Sequence, residues 1–284
     1  MKTIRIIPRL DIKGPNLVKG IHLEGLRVLG KPSEFAKFYY EEGADELFYQ
    51  DTVASLYGRN SLNEFISKAA KDIFIPLTVG GGLRKIEDIR NVLRVGADKV
   101  SINTGAVLRP SFINEASKIF GSSTIVIAIE VIKSDDGKYK VFTDNGREYT
   151  GLDAIEWAKE VQDRGAGEIY LTSIDNEGTG EGYNIELIEK VSNNLEIPLI
   201  VHGGASKPKD IYKAIKDGKA DAVSMSSMIH YTIIKKLLTN KKFDSDEGNR
   251  TFLNTQQDYK DFGKYKISDI KDYLEVNSIE VRKT

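Results

Sequence analysis

Short runs of β-branched and aromatic residues alternate with longer stretches whose apolar positions recur every three or four residues, from one end of the chain to the other. The short runs predict strands over residues 4–10, 46–50, 75–79, 99–102, 124–129, 168–172, 199–201 and 222–225. The longer ones predict helices over 33–42, 61–72, 85–95, 108–120, 152–164, 184–193 and 207–217. Strands that alternate with helices pair in parallel, and eight of them are enough to close a (β/α)8 barrel; a doubly wound open sheet is the alternative.

The pattern also repeats. Asp45-Glu46-Leu47-Phe48 is echoed by Gly167-Glu168-Ile169-Tyr170, and Ile75-Pro76-Leu77-Thr78-Val79-Gly80-Gly81-Gly82 by Ile197-Pro198-Leu199-Ile200-Val201-His202-Gly203-Gly204. Ala97-Asp98-Lys99-Val100-Ser101 returns as Ala220-Asp221-Ala222-Val223-Ser224, and the offset stays at 122 to 123 residues. Three ordered echoes favour a single α/β barrel of two duplicated (β/α)4 halves, about 1–122 and 123–284, over an open sheet whose halves need no symmetry. Residues 235–266 break the period and read as a polar insertion after the eighth strand, before a last helix over 268–274. Such a connection belongs at the C-terminal face, as a tolerated surface insertion or as a lid or partner contact.

Composition then excludes several classes. The chain has no Cys, which leaves neither a disulfide framework nor a thiolate metal site nor a thiol nucleophile. Lys+Arg 41 against Asp+Glu 42 leaves a net charge of −1, which argues against a bulk nucleic-acid binder. No apolar run has the ~18 residues of a membrane helix. Met1-Lys2-Thr3-Ile4-Arg5 leads straight into a strand-like segment, so the expectation is a cytoplasmic protein without a membrane partner.

The candidate chemistry follows the repeat. Gly80-Gly81-Gly82 and Gly203-Gly204 each end a strand before a helix, where backbone N–H groups can approach an anion with help from the helix dipole. Asn103, Thr104, Ser226 and Ser227 end the next strand of each half and add further donors. Two equivalent phosphate sites imply a long ligand phosphorylated at both ends. Asp11 and Glu130, at the ends of the first strand of each half, are the acid–base pair that could act between them. Lys19 could neutralise developing charge, although alone it reads as a surface lysine; His22 and His230 read as surface or packing residues. Strand alternation puts Arg5, Ile7, Arg9 and Asp11 on one face. If Asp11 points into the mouth, Arg5 lies at the opposite end, level with Glu46, Lys99 and Glu168. Two charges of each sign there must pair, as a structural ring or as a gate, and side-chain chemistry alone favours the ring.

With these residues in place, the chain resembles the cyclase subunit family of imidazole glycerol phosphate synthase over about nine-tenths of its length. The resemblance rests on Leu10-Asp11-Ile12-Lys13, Val18-Lys19-Gly20, Thr78-Val79-Gly80-Gly81-Gly82, the run Ala97–Thr104, Leu171-Thr172-Ser173-Ile174-Asp175 with Gly178-Thr179, and Gly203-Gly204-Ala205. It implies a half-barrel duplication and a glutaminase subunit docked on the N-terminal face. Ammonia would travel through the barrel interior to a substrate with two phosphates, a phosphoribulosyl-formimino arm on an aminoimidazole-carboxamide ribonucleotide. The products would be imidazole glycerol phosphate and the aminoimidazole ribonucleotide. The resemblance makes Asp11 and Glu130 the catalytic pair and extends substrate contacts to Lys19, Thr172, Glu177 and Gly178. It assigns Arg5, Glu46, Lys99 and Glu168 to an ammonia gate and Asp98 to the partner interface, and it implies no metal or organic cofactor.

The chain departs from the family pattern near the mouth. Glu130 and Glu177 stand where Asp is usual, His202 where Ser is usual, and Arg9 where the residue is small or uncharged. An Arg at position 9 would pair with Asp11 or Glu130 and hold its partner ionised. These changes leave two alternatives beside the cyclase: a paralogue that delivers ammonia for amidination of a sugar in surface polysaccharide synthesis, and a scaffold that only activates the glutaminase.

Overall fold

The computed structural model describes residues 2–54, 62–238, 262 and 264–283. The first strand, β1 (Arg5–Lys13), runs into an antiparallel hairpin, β2 (Asn16–Ile21) and β3 (Glu24–Gly30), before helix α1 (Pro32–Glu41). The first half continues through β4 (Leu47–Asp51), α2 (Asn63–Asp72), β5 (Leu77–Gly80), α3 (Ile86–Arg94), β6 (Lys99–Ile102), α4 (Thr104–Leu108) and α5 (Ser111–Phe120). The second half has the same plan. β7 (Ile125–Lys133) feeds the hairpin β8 (Tyr139–Thr143) and β9 (Glu148–Asp153). Then come α6 (Ala154–Asp163), β10 (Glu168–Ser173), α7 (Ile185–Ser192), β11 (Leu199–His202), α8 (Pro208–Lys216), β12 (Ala222–Met225), α9 (Ser227–Leu238) and α10 (Ile267–Val276).

Eight parallel strands follow one another in the order β1-β4-β5-β6-β7-β10-β11-β12, and β12 pairs with β1 to close the sheet. Closure rules out the open doubly wound sheet. The fold is a (β/α)8 barrel with the two hairpins standing on its rim.

The core has two parts. A large cluster fills the space between strands and helices. A smaller one, Ile7, Phe48, Val126, Tyr170, Ile200 and Ala222, fills the barrel interior. Bulky branched and aromatic residues pointing inward from several strands make the centre a packed layer. Three aspartates brace the bottom by one device: a carboxylate accepts the N–H near the start of the preceding strand. Asp45 takes Ile6 at 2.8 Å, Asp98 takes Leu77 at 2.9 Å and Asp221 takes Leu199 at 2.6 Å. Lys271 of α10 also reaches Asp45 at 2.7 Å, and Val281 bridges to Ile4, so the end of the chain lies against the start of β1.

Several boundaries shift from the pattern-based expectation. The helix expected over 108–120 begins only at Ser111, as α5, and Leu108 ends the separate helix α4, since Pro110 between them has no N–H to continue a ladder. The hairpins and α9 were not anticipated. Of the polar connection expected over 235–266, residues 235–238 belong to α9, while 239–261 and 263 lie outside the described residues. Beyond them Phe262 stacks on Tyr231 with ring centroids 5.3 Å apart and packs against Gly180. Among the described residues no helix is long and apolar enough to cross a membrane.

Candidate active site

Two pockets open at the C-terminal ends of the strands. The first, about 630 Å3 including its open mouth, is lined by Gly81, Gly82, Asn103, Thr104, Glu130 and Thr172, with Arg9, Gln50 and Ser101. The second, about 240 Å3, is lined by Lys19, Glu177, Gly178, His202, Gly203, Gly204, Ser226 and Ser227. The residues expected to bind the two ends of a ligand are thus grouped as the repeat requires.

Glycine is required at matched points of both turns. Gly81 has φ +112°, and a Cβ there would lie 2.7 Å from the Asp51 carbonyl oxygen; Gly203 has φ +104° and would meet the Ser173 oxygen at 2.6 Å. Close backbone approach excludes any side chain at either position. The helices that follow these turns carry acceptors of their own at their starts. The N–H groups of Arg84 and Lys85 ahead of α3 already donate to Asp88, and those of Ser206 and Lys207 ahead of α8 to Asp210. The starts of α4 at Thr104 and α9 at Ser227 also border the pockets.

The catalytic candidates sit on matching strands in unlike surroundings. Asp11 is 2% exposed and accepts from Arg9 Nε at 2.7 Å, with Lys19 Nζ at 3.8 Å. Burial alone would favour its neutral form, but the charges of Arg9 and Lys19 reverse this and hold its pKa below the usual value. Glu130 accepts from the Gly146 N–H at 2.9 Å. Burial dominates here: against the pull of Arg9 and that N–H, it pushes the Glu130 pKa up to about 7. Arg9 has chosen Asp11, leaving Glu130 as the group able to exchange a proton near neutrality.

Lys19 is not a surface residue. It is 2% exposed, hydrogen-bonded to Glu177 and facing Asp11. Glu177 is fully buried, and its other oxygen accepts the Leu23 N–H at 3.0 Å, so it anchors the tip of the β2–β3 hairpin as well as Lys19. His202 is buried with Nδ1 3.3 Å from the Ser224 carbonyl; burial, then the charges of Arg9 and Lys19, push its pKa well below normal and keep it neutral. His230 packs in the core against Tyr39, and His22 is exposed with Nδ1 2.8 Å from the Ile174 oxygen.

The hairpin tips are the part of the mouth that pattern reading missed. His22 and Leu23 have φ +52° and +64°, and Asp144 and Asn145, 122 positions on, have +52° and +60°. Asn145 Nδ2 donates to the Leu23 oxygen at 3.0 Å, joining the two tips over the barrel. The only signal in the sequence was Asp144-Asn145-Gly146, which has the residue types of a tight turn.

At the opposite end, Arg5 lies 2.8 Å from Glu46 and 2.8 Å from Glu168, and Lys99 lies 3.1 and 3.0 Å from the same two. Thr78 Oγ1 donates to Glu46 at 2.6 Å. The quartet is a closed ring of alternating charge. Asp98 is exposed beside this face.

A closed parallel barrel whose polar residues converge at the C-terminal strand ends defines the class of (β/α)8-barrel enzymes. Residues 5–235 match the family described as histidine biosynthesis protein, and the chain belongs to that family. It is 54% identical over 207 residues to imidazole glycerol phosphate synthase subunit HisF of Legionella pneumophila, covering 73% of this chain and 98% of the relative. It is 45% identical over 269 residues to the protein of the same description from Methanocaldococcus jannaschii, covering 87% of this chain and 98% of the relative. A third, from Methanococcus maripaludis, is 45% identical over 251 residues, 81% of this chain and 92% of its own length.

Proposed function

We propose that the chain is the cyclase subunit of an imidazole glycerol phosphate synthase, acting in histidine biosynthesis on a bis-phosphorylated substrate with ammonia from a partner subunit. The observation that carries this reading is the pair of matched pockets, one lined by Glu130 and the other by Lys19, which faces Asp11. One phosphate would sit at Gly81, Gly82, Asn103 and Thr104, the other at Gly203, Gly204, Ser226 and Ser227. The ribulosyl arm would then lie across the carboxylates. Glu130 exchanges protons with the reacting atoms, while ionised Asp11 stabilises positive charge that develops on nitrogen.

The partner is a glutaminase docked on the N-terminal face, beside Asp98. The ring of Arg5, Glu46, Lys99 and Glu168 is the gate through which its ammonia enters. The same reading takes the chain as one barrel of two related halves, about 1–122 and 123–284. The relatives' descriptions favour it over sugar amidination.

The test is turnover of the bis-phosphate substrate by the full chain with ammonium salt in place of the partner. Wild-type turnover, abolished by Asp11→Asn and by Glu130→Gln, is the expected result. No turnover at high ammonium would overturn the reading.

A further inference from the structure

Arg9 is buried where the interior layer of the barrel meets the mouth, one inward position above Ile7 and one below Asp11. Its Nε is taken by Asp11 at 2.7 Å, and its guanidinium carbon lies 5.8 Å from the Phe48 ring centroid and 5.7 Å from that of Tyr170. The group is therefore fixed in orientation. One terminal nitrogen, Nη2, is nevertheless buried without a hydrogen-bond partner. Ser101 Oγ, Asn103 Oδ1 and Thr172 Oγ1 are likewise buried and unpartnered, and all four side chains line the first pocket together with Glu130.

An arginine kept only to balance Asp11 would have its donors satisfied by the protein. Here Nη2 is left over, in a pocket lined by the residues of three other unsatisfied polar atoms, and buried polar groups without partners in a pocket mark what a ligand must supply.

We propose that Arg9 contacts the substrate directly, its free Nη2–H donating to the oxygen of the ketose carbonyl that ammonia attacks. This rests on the cyclase reading above. In the step, the ammonia lone pair forms the C–N bond while the C=O π pair moves to oxygen, where Arg9 carries the developing charge. Neutral Glu130 gives its proton to that oxygen and regains one from nitrogen, leaving a neutral carbinolamine. Such a donor acts mainly in the transition state, because the charge it meets develops there.

The experiment compares wild type, Arg9→Lys and Arg9→Gln as full chains, with saturating ammonium and the bis-phosphate substrate and with melting curves alongside. Lysine keeps the charge and can pair with Asp11, but it has no second nitrogen in the fork geometry. The expected result for Arg9→Lys is a kcat lower by on the order of 10²-fold with KM little changed. Wild-type kcat in Arg9→Lys would show that Arg9 merely holds Asp11 and would overturn the proposal. Wild type without turnover would instead overturn the cyclase reading. If both variants fail to fold, a crystal complex of wild type with substrate and no ammonia decides. The ketose oxygen within hydrogen-bonding distance of an Arg9 terminal nitrogen supports the proposal, and the same oxygen on another donor overturns it.

Discussion

Two carboxylates at matching positions of the first strand of each half have had their pKa values driven in opposite directions by their surroundings. Asp11 lies against Arg9 and Lys19 and stays ionised, while Glu130 has a pKa of about 7. The Glu130 shift is also a statement about stability. Its folded pKa lies above the usual 4.5, so its stabilising contribution is full below about 4.5 and is lost as pH rises through 7. Glu130→Gln should therefore gain stability relative to wild type between pH 5 and pH 8, by on the order of 3 kcal/mol at most. Thermal unfolding of both proteins at the two pH values measures this, and an unchanged difference would mean Glu130 is not held neutral by burial. Strand parity was enough to put Arg9 and Asp11 on one face. It could not say which acid Arg9 would choose, because that depends on how side chains converge from different strands.

At the scale of elements, what was legible depended on how much the local chemistry agreed with the final structure. The strands over 99–102 and 222–225 emerge at the residues expected, because short buried runs in a parallel sheet are bounded by sharp changes of polarity. The β2–β3 hairpin was invisible because its turn is His22-Leu23, and neither residue favours positive φ. Tertiary contacts hold the turn instead: Glu177 accepts the Leu23 N–H, and Asn145 donates to the Leu23 oxygen. Asn145→Ala should then cost about 1 kcal/mol and speed amide exchange at residues 20–25 more than elsewhere. Exchange that rises uniformly over the chain would mean that the tips do not brace each other. The two hairpins match in backbone, with positive-φ turns 122 positions apart, but not in residues, so the repeat fades in these segments.

For the whole molecule, the charged ring and the packed interior layer separate one face of the barrel from the other. Side-chain chemistry alone required the four charges to pair, and they do; their use as a gate is a separate matter. If ammonia enters through the ring, Arg5→Ala should change glutamine-dependent turnover in the complex more than ammonium-dependent turnover of the chain by itself. Equal effects in the two assays would return the quartet to a purely structural role. The ring is partly buried, with Glu46 only 1% exposed, so Arg5→Ala should also lower the melting temperature through the charge it leaves unpaired.

The bridge between Ile4 and Val281 sets the first strand beside the last described residues, under the same end of the barrel. The backbone between these two residues therefore returns to where it set out. Joining residues 4 and 281 through a short linker and opening the chain between Gly121 and Ser122 would spell the second half before the first, with the same neighbouring pairs of strands. The order in which the halves are written is, on this geometry, a matter of where the ring of peptide was cut.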